Sequence, residues 1–135
     1  MKTTSSYKFK RVLLIDDNEI DNFINERIIS SSNFSESCVV KTSTDAAIEY
    51  LNSISGQIEI LPQIIFLDLN MPVKDGFAFL DLFNSIDAKT RDYCKIVVLS
   101  SSISPEDINK ASSNPHVIRY LNKPLSDKYL EAIEA

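Results

Sequence analysis

Glycine is almost missing from this chain: Gly56 and Gly76 are the only two among 135 residues. Glycine-rich phosphate loops of the GxGxxG and GxxxxGKS kinds are therefore excluded, and most dinucleotide and nucleoside-triphosphate chemistry goes with them. Histidine occurs once, as His116. Cysteine occurs twice, as Cys38 and Cys94, far apart and without a CxxC pair. No zinc site can be assembled from so few ligands. Each cysteine opens an apolar run and reads as a small buried or half-buried residue. His116 follows Asn114-Pro115 in an expected loop and reads as a surface residue. Basic residues are outnumbered, 14 Lys and Arg against 19 Asp and Glu, for a net charge of −5. Nucleic-acid phosphates and anionic lipid need a basic face, so direct binding to either is not expected. The opening MKTTSSYKFK lacks the apolar core of a secretory leader, and no run approaches a membrane span. A cytoplasmic location is the expectation.

What is present suits one domain with a core of its own, since 44% of residues are hydrophobic and 24% charged. Residues 1–9 read as a polar N-terminal extension and 10–135 as the domain. Five apolar runs occur: RVLLIDD at 11–17, CVVKTS at 38–43, QIIFLDL at 63–69, KIVVLSSS at 95–102 and VIRYLNKP at 117–124. The first, third and fourth are nearly continuous in branched and aromatic residues, the mark of strands covered on both faces. Helical patterns alternate with them. Ile20, Phe23, Ile24, Arg27 and Ile28 keep helical spacing and predict an inward stripe on the first helix. The second helix is expected over about 44–54, capped by Ser43 or Thr44, with Ala47, Ile48 and Leu51 inward. The third is expected from Phe77 to Ile86. The fourth starts with Ser104 as cap and Pro105 at its first position, and is thinly anchored by Ile108 and Ala111. The fifth follows Ser126 and carries Tyr129, Leu130 and Ile133. Alternating βα units imply a doubly wound parallel sheet.

Ligands of such sheets bind outside the carboxyl ends of the strands. There the strands carry Asp16-Asp17, Asp68, Ser100-Ser101-Ser102 and Lys123-Pro124. Singly, each is ordinarily a turn former, a cap or a solvated charge. Together, three clustered carboxylates repel unless a cation joins them, and an oxygen-only set suits Mg²⁺ rather than zinc.

Asp16-Asp17, Asp68-Leu69-Asn70-Met71-Pro72 with Gly76 eight residues after Asp68, Ser100 after an IVVL run, and Lys123-Pro124 come in order on this βα pattern. The set resembles the receiver domain of bacterial two-component response regulators over essentially the whole chain from residue 10. The resemblance implies a flavodoxin-like five-stranded parallel sheet of order 2-1-3-4-5 with five helices. It implies Asp68 as phospho-acceptor, Asp17 as a direct Mg²⁺ ligand with Asp16 helping, and the Asn70 backbone carbonyl as a further ligand. Ser100 and Lys123 would contact the phosphoryl group, with a cis peptide before Pro124. Tyr120 would change rotamer with Ser100. The donor would be a histidine kinase or histidine phosphotransfer protein. A downstream protein would read the face made by the fourth expected helix, the fifth strand and the fifth helix. Such a module signals rather than acting as an enzyme in the ordinary sense, and the chain leaves no room for an output domain. Ser stands at 100 where Thr is commoner, and Ser101 replaces a frequent Ala; both keep the chemistry. Three alternatives remain: a flavodoxin-like cofactor binder, a hydrolase with a nucleophilic aspartate, and a degenerate receiver serving as a protein-interaction module. The cofactor binder would need a phosphate loop where this chain has DDNEID. The hydrolase would need an acid at position 70.

Overall fold

Strands that alternate inward residues between two faces need a helical layer on each, and the computed structural model, which describes residues 7–133, has that form. In chain order the elements are β1 (Phe9–Ile15), α1 (Glu19–Ser31), β2 (Ser35–Lys41), α2 (Thr44–Ser53), β3 (Ile64–Leu67), α3 (Gly76–Phe83), α4 (Ala88–Tyr93), β4 (Lys95–Ser100), α5 (Pro105–Ser112), β5 (Val117–Asn122) and α6 (Asp127–Ala132). All strand pairs are parallel, in the order β2-β1-β3-β4-β5. This is the doubly wound, flavodoxin-like sheet expected. The expected polar extension at 1–9 falls mainly on residues outside those described; β1 begins at Phe9.

The period-two rule sorts the core into two layers. Leu13, Ile15, Ile65, Leu67, Ile96 and Val98 face α2, α3 and α5 through Ala47, Leu51, Phe79, Phe83 and Ala111. Val12, Leu14, Ile64, Phe66, Val97 and Leu99 face α1 and α6 through Ile29 and Leu130, with the Phe34 ring tilted against Phe9 and Phe66 at ring distances of 5.0 and 5.8 Å. Both cysteines lie in this interior, Cys38 half-buried and Cys94 fully. Burial pushes each thiol up to about 12, so neither is a thiolate at neutral pH.

Several local expectations need correction. Among the described residues there are six helices, not five. The additional one, α4, has no apolar stripe; Asp87 caps it by accepting from Thr90 N at 3.2 Å, and only Thr90 is buried. The third helix accordingly ends at Phe83 rather than Ile86. The second strand runs from Ser35 to Lys41, not 38–43, because Phe9 pairs with Ser35 and Ser43 caps α2. His116 is half-buried, not a plain surface residue. Its ring meets Phe83 edge-on at 5.5 Å, and burial lowers its pKa.

The largest reversal is on α1. Its buried residues are Asn22, Asn25 and Ile29, while Ile20, Phe23 and Ile24 are 71, 61 and 43% exposed. The helix is rotated by polar bonds at its start. Asn18 caps it, and the buried Asn22 amide donates to the Asp16 carbonyl at 2.8 Å. That bond ties α1 to the end of β1 and offsets part of the cost of burying Asn22, whose Oδ1 is buried without a partner among the described residues.

One exposed residue is strained. Val73 is fully exposed with φ of 66°, and the next amide, Lys74 N–H, donates to Pro72 O at 2.7 Å. A β-branched residue at positive φ closing an i to i+2 bond sits in the rare, strained hand of the γ-turn. Val73→Gly removes no packing, so it is expected to stabilise the protein by about 1 kcal/mol after glycine's own entropy cost. A higher midpoint in urea checks this.

Candidate functional site

Register builds the site. Ile15 pairs with Leu67, and the Asp68 amide donates to Ile15 O at 3.0 Å, so Asp16 and Asp68 leave adjacent strands side by side. Ser100 pairs with Asn122, and the Lys123 amide donates to Ser100 O at 2.9 Å, which sets Lys123 next to the end of β4. A slip of one residue would turn every one of these side chains to the opposite face.

Ligand atoms of Asp16, Asp17 and Asp68 all lie within 4.8 Å of one another. Asp16 is 1% exposed and Asp68 5%, while Asp17 is open to solvent. Asp16 Oδ1 accepts from Asn18 N at 2.9 Å, and its Oδ2 accepts from Lys123 Nζ at 2.9 Å. Lys123 Nζ also donates to Asp21 Oδ2 at 2.8 Å and stands 3.6 Å from Asp68 Oδ1. Burial pushes the Asp68 carboxyl up to about 6, with the Asp16 charge acting in the same direction; Lys123 and the Asn70 backbone N–H pull against this. Burial alone would lower Lys123, but its bonds to Asp16 and Asp21 hold it above the ordinary lysine value. The cluster is thus short of positive charge, and an oxygen-only donor set with one exposed member fits a hard divalent cation.

The turn after Asp68 is fixed from several sides. Gly76 N donates to Leu69 O at 3.0 Å, and Asp75 caps α3 by accepting from Ala78 N. The buried Thr44 hydroxyl donates to the Lys74 and Asp75 carbonyls at 3.0 and 3.3 Å. Sequence reasoning offered Thr44 only as a possible cap. Ser43 caps α2, and Thr44 pins the loop instead. Asn70 is exposed on this turn.

The serine arm is a knot around Ser102. Ser100 is fully buried, and its Oγ accepts from Ser102 N at 3.1 Å. Ser102 Oγ donates to Asp107 Oδ2 at 2.7 Å, in the first turn of α5. The Ser102 carbonyl accepts twice, from Tyr120 Oη at 2.9 Å and Asn122 Nδ2 at 3.1 Å. Tyr120 is half-buried against the core layer that holds α5. The Lys123-Pro124 peptide is cis. Sequence reasoning set Ser102 at this strand end without a role of its own, and Asn122 and Asp21 escaped it. Asp21 left a trace, as an acid in the first turn after the Asp16-Asp17 pair.

Comparison with known proteins agrees with this geometry. The family model of the response regulator receiver domain matches residues 12–134. A two-component response regulator from Cytophaga hutchinsonii superposes with a TM-score of 0.83 at 37% identity, covering 90% of this chain and 91% of that one. The phosphorylated cyanobacterial phytochrome response regulator RcpA superposes with a TM-score of 0.71 at 30% identity, covering 90% and 86%. A probable methanogenesis regulatory protein, FilR2, from Methanothrix harundinacea is 32% identical over 115 residues, 85% of this chain and 72% of its own.

Proposed function

The chain belongs to the response regulator receiver domain family, and from this we propose that it accepts a phosphoryl group on Asp68 and changes its surface in response. The observation that carries the reading is the convergence of Asp16, Asp17 and Asp68 within 4.8 Å beside the Lys123 ammonium. In the reaction a carboxylate oxygen of Asp68 attacks phosphorus, and the bond from phosphorus to the donor atom breaks with the donor leaving. Such a transfer asks the protein for positioning and charge neutralisation rather than covalent help.

Asp16, Asp17, Asp68 and the Asn70 carbonyl would hold Mg²⁺, which when bound supplies positive charge against the phosphoryl oxygens. Lys123 contributes a second cation. Ser100 Oγ gives up its bond from Ser102 N and donates to the phosphoryl group. Because the Ser102 carbonyl also receives Tyr120 and Asn122, displacing Ser102 is felt by β5 and by α5 through Asp107. The face of α5, β5 and α6 is then what a downstream protein reads.

Receiver domains take phosphate from histidine kinases or phosphotransfer proteins. The outward Ile20, Phe23 and Ile24, on the helix that follows the Asp16-Asp17 pair, offer such a donor an apolar surface. No helix of the described residues is long and apolar enough to cross a membrane. The flavodoxin-like alternative is disfavoured, because an anionic cofactor would meet Asp16, Asp17 and Glu19 where it needs a phosphate cradle.

The test is incubation with acetyl phosphate. The intact mass is expected to gain one phosphoryl group only when Mg²⁺ is present; no gain under any metal condition overturns the reading. Asp17→Asn is expected to lower Mg²⁺ affinity at least tenfold, worth about 1.4 kcal/mol. Since Asp17 is exposed, metal-free thermal unfolding should barely change. Unaltered affinity removes Asp17 from the metal site.

A further inference from the structure

Lys123 stands among three carboxylates, and two of them hold it. Its Nζ is 2.9 Å from Asp16 Oδ2 and 2.8 Å from Asp21 Oδ2, but 3.6 Å from Asp68 Oδ1. The first two contacts are charge-assisted hydrogen bonds, and the third lies beyond hydrogen-bond range. The two holding acids differ. The Asp16 side chain is 2% exposed and the Asp21 side chain 35%. Asp16 is therefore the fixed anchor, and Asp21 the arm that opens to water. The start of α1 does not need the Asp21 carboxylate, because Asn18 Oδ1 already accepts from the Asp21 amide at 2.9 Å. The side chain is spent on the lysine.

We propose that Asp21 is a positioning residue that holds Lys123 back from Asp68 until a phosphoryl group arrives. This rests on the phospho-acceptor reading above. An ammonium has three protons to donate, and here Asp16 and Asp21 take two of them. A phosphoryl group on Asp68 brings more charge and more acceptor oxygens than Asp21 offers. The lysine swings toward it, keeps Asp16 and gives up Asp21. Asp21 thereby sets two properties. It holds Lys123 beyond hydrogen-bond range of Asp68 Oδ1 beforehand, so that no lysine hydrogen bond has to be broken for that carboxylate to attack. It also competes with the phosphoryl group for the ammonium, which limits how tightly the phosphorylated state is held.

The experiment compares wild type, Asp21→Ala and Asp21→Glu by crystal structure without a phosphoryl analogue, and by titration with beryllofluoride in Mg²⁺. In Asp21→Ala, Lys123 Nζ is expected to close to within about 3.2 Å of Asp68. Beryllofluoride is expected to bind on the order of fivefold more tightly, the size of one exposed charge-assisted contact. Asp21→Glu, which keeps a carboxylate at that place, is expected to restore wild-type behaviour. In a Lys123→Ala background, Asp21→Ala should change affinity by less than about twofold, since residues that act only through each other show full coupling. A gain that persists without Lys123 is a bulk charge effect and overturns the proposal, as does a lysine that stays at 3.6 Å from Asp68 in Asp21→Ala. If wild type binds no beryllofluoride, the phospho-acceptor reading falls. The crystal distance then still decides whether Asp21 holds the lysine.

Discussion

Asp68→Asn is expected to take up no phosphoryl group from acetyl phosphate and Mg²⁺, and to be more stable than the wild type at pH 8 without metal. The first half follows from chemistry: an amide oxygen at that position is no nucleophile toward phosphorus at these conditions, and among the described residues no other carboxylate lies both inside the cluster and beside Lys123 except Asp16, which is already bonded. A mass gain that survives in the variant overturns the assignment of Asp68. The second half follows from linkage. The Asp68 carboxyl is raised from 3.8 to about 6 in the folded protein. A carboxyl raised on folding binds its proton more tightly in the native state, so stability is highest below the unfolded value and falls as pH climbs from 3.8 through about 6. That gap corresponds to roughly 3 kcal/mol in full, and about 2 kcal/mol once water at the open side of the cluster is allowed for. Denaturant titrations in EDTA should therefore show Asp68→Asn ahead by about that amount at pH 8 and level with wild type near pH 3.5. A gap that is the same at both pH values would show that the carboxylate charge is not the cause. Mg²⁺ at about tenfold its Kd should return about 1.4 kcal/mol to the wild type and much less to the variant.

Gly76→Ala is expected to cost about 3 kcal/mol of stability and to slow phosphorylation by about 100-fold. A Cβ at position 76 would lie 2.7 Å from the Asp68 carbonyl oxygen and 2.7 Å from Leu69 Cα. Both are backbone atoms and cannot rotate away. To admit a methyl group, the segment that carries Asp68 must move, and in-line transfer punishes small displacements of the attacking atom. Gly56 is the control. Its φ of 74° asks for glycine, but the nearest atom to an added Cβ is Asp87 Oδ2 at 4.0 Å. Gly56→Ala should cost about 1 kcal/mol through backbone strain and leave phosphorylation untouched. Urea unfolding and initial rates with acetyl phosphate measure both variants. Equal rates for wild type and Gly76→Ala would show that the turn does not govern the position of Asp68.

Much of this protein was legible from its residues in order. Continuous runs such as LLI and IIFL fixed buried parallel strands, because only a sheet covered on both faces tolerates them. The acids, serine and lysine at their ends marked the chemical edge. The cap at Ser104 lies where its sequence signal placed it, and the last helix begins directly after Ser126 as expected. The six-residue α4 was not legible, since its one buried residue, Thr90, is polar and sets up no apolar spacing; α6 is as short, but Tyr129, Leu130 and Ile133 marked it. Nor was the orientation of α1. Its apolar stripe says only that Ile20, Phe23 and Ile24 share a face, and spacing along a helix cannot say which face meets the sheet.

The sequence by itself determined the strand order of chemistry: which residue stands at which strand end, and that glycine at 76 is one of only two. The tertiary structure alone decided how those ends bond to one another. That Lys123 is held by Asp16 and Asp21 rather than Asp68, that Thr44 pins the turn, and that the Ser102 carbonyl receives Tyr120 and Asn122 are contacts between residues 18 to 107 positions apart. Such contacts depend on register and on the desolvation of each polar group where it comes to rest. Neither quantity is written in local spacing, because each is fixed only when all five strands have met.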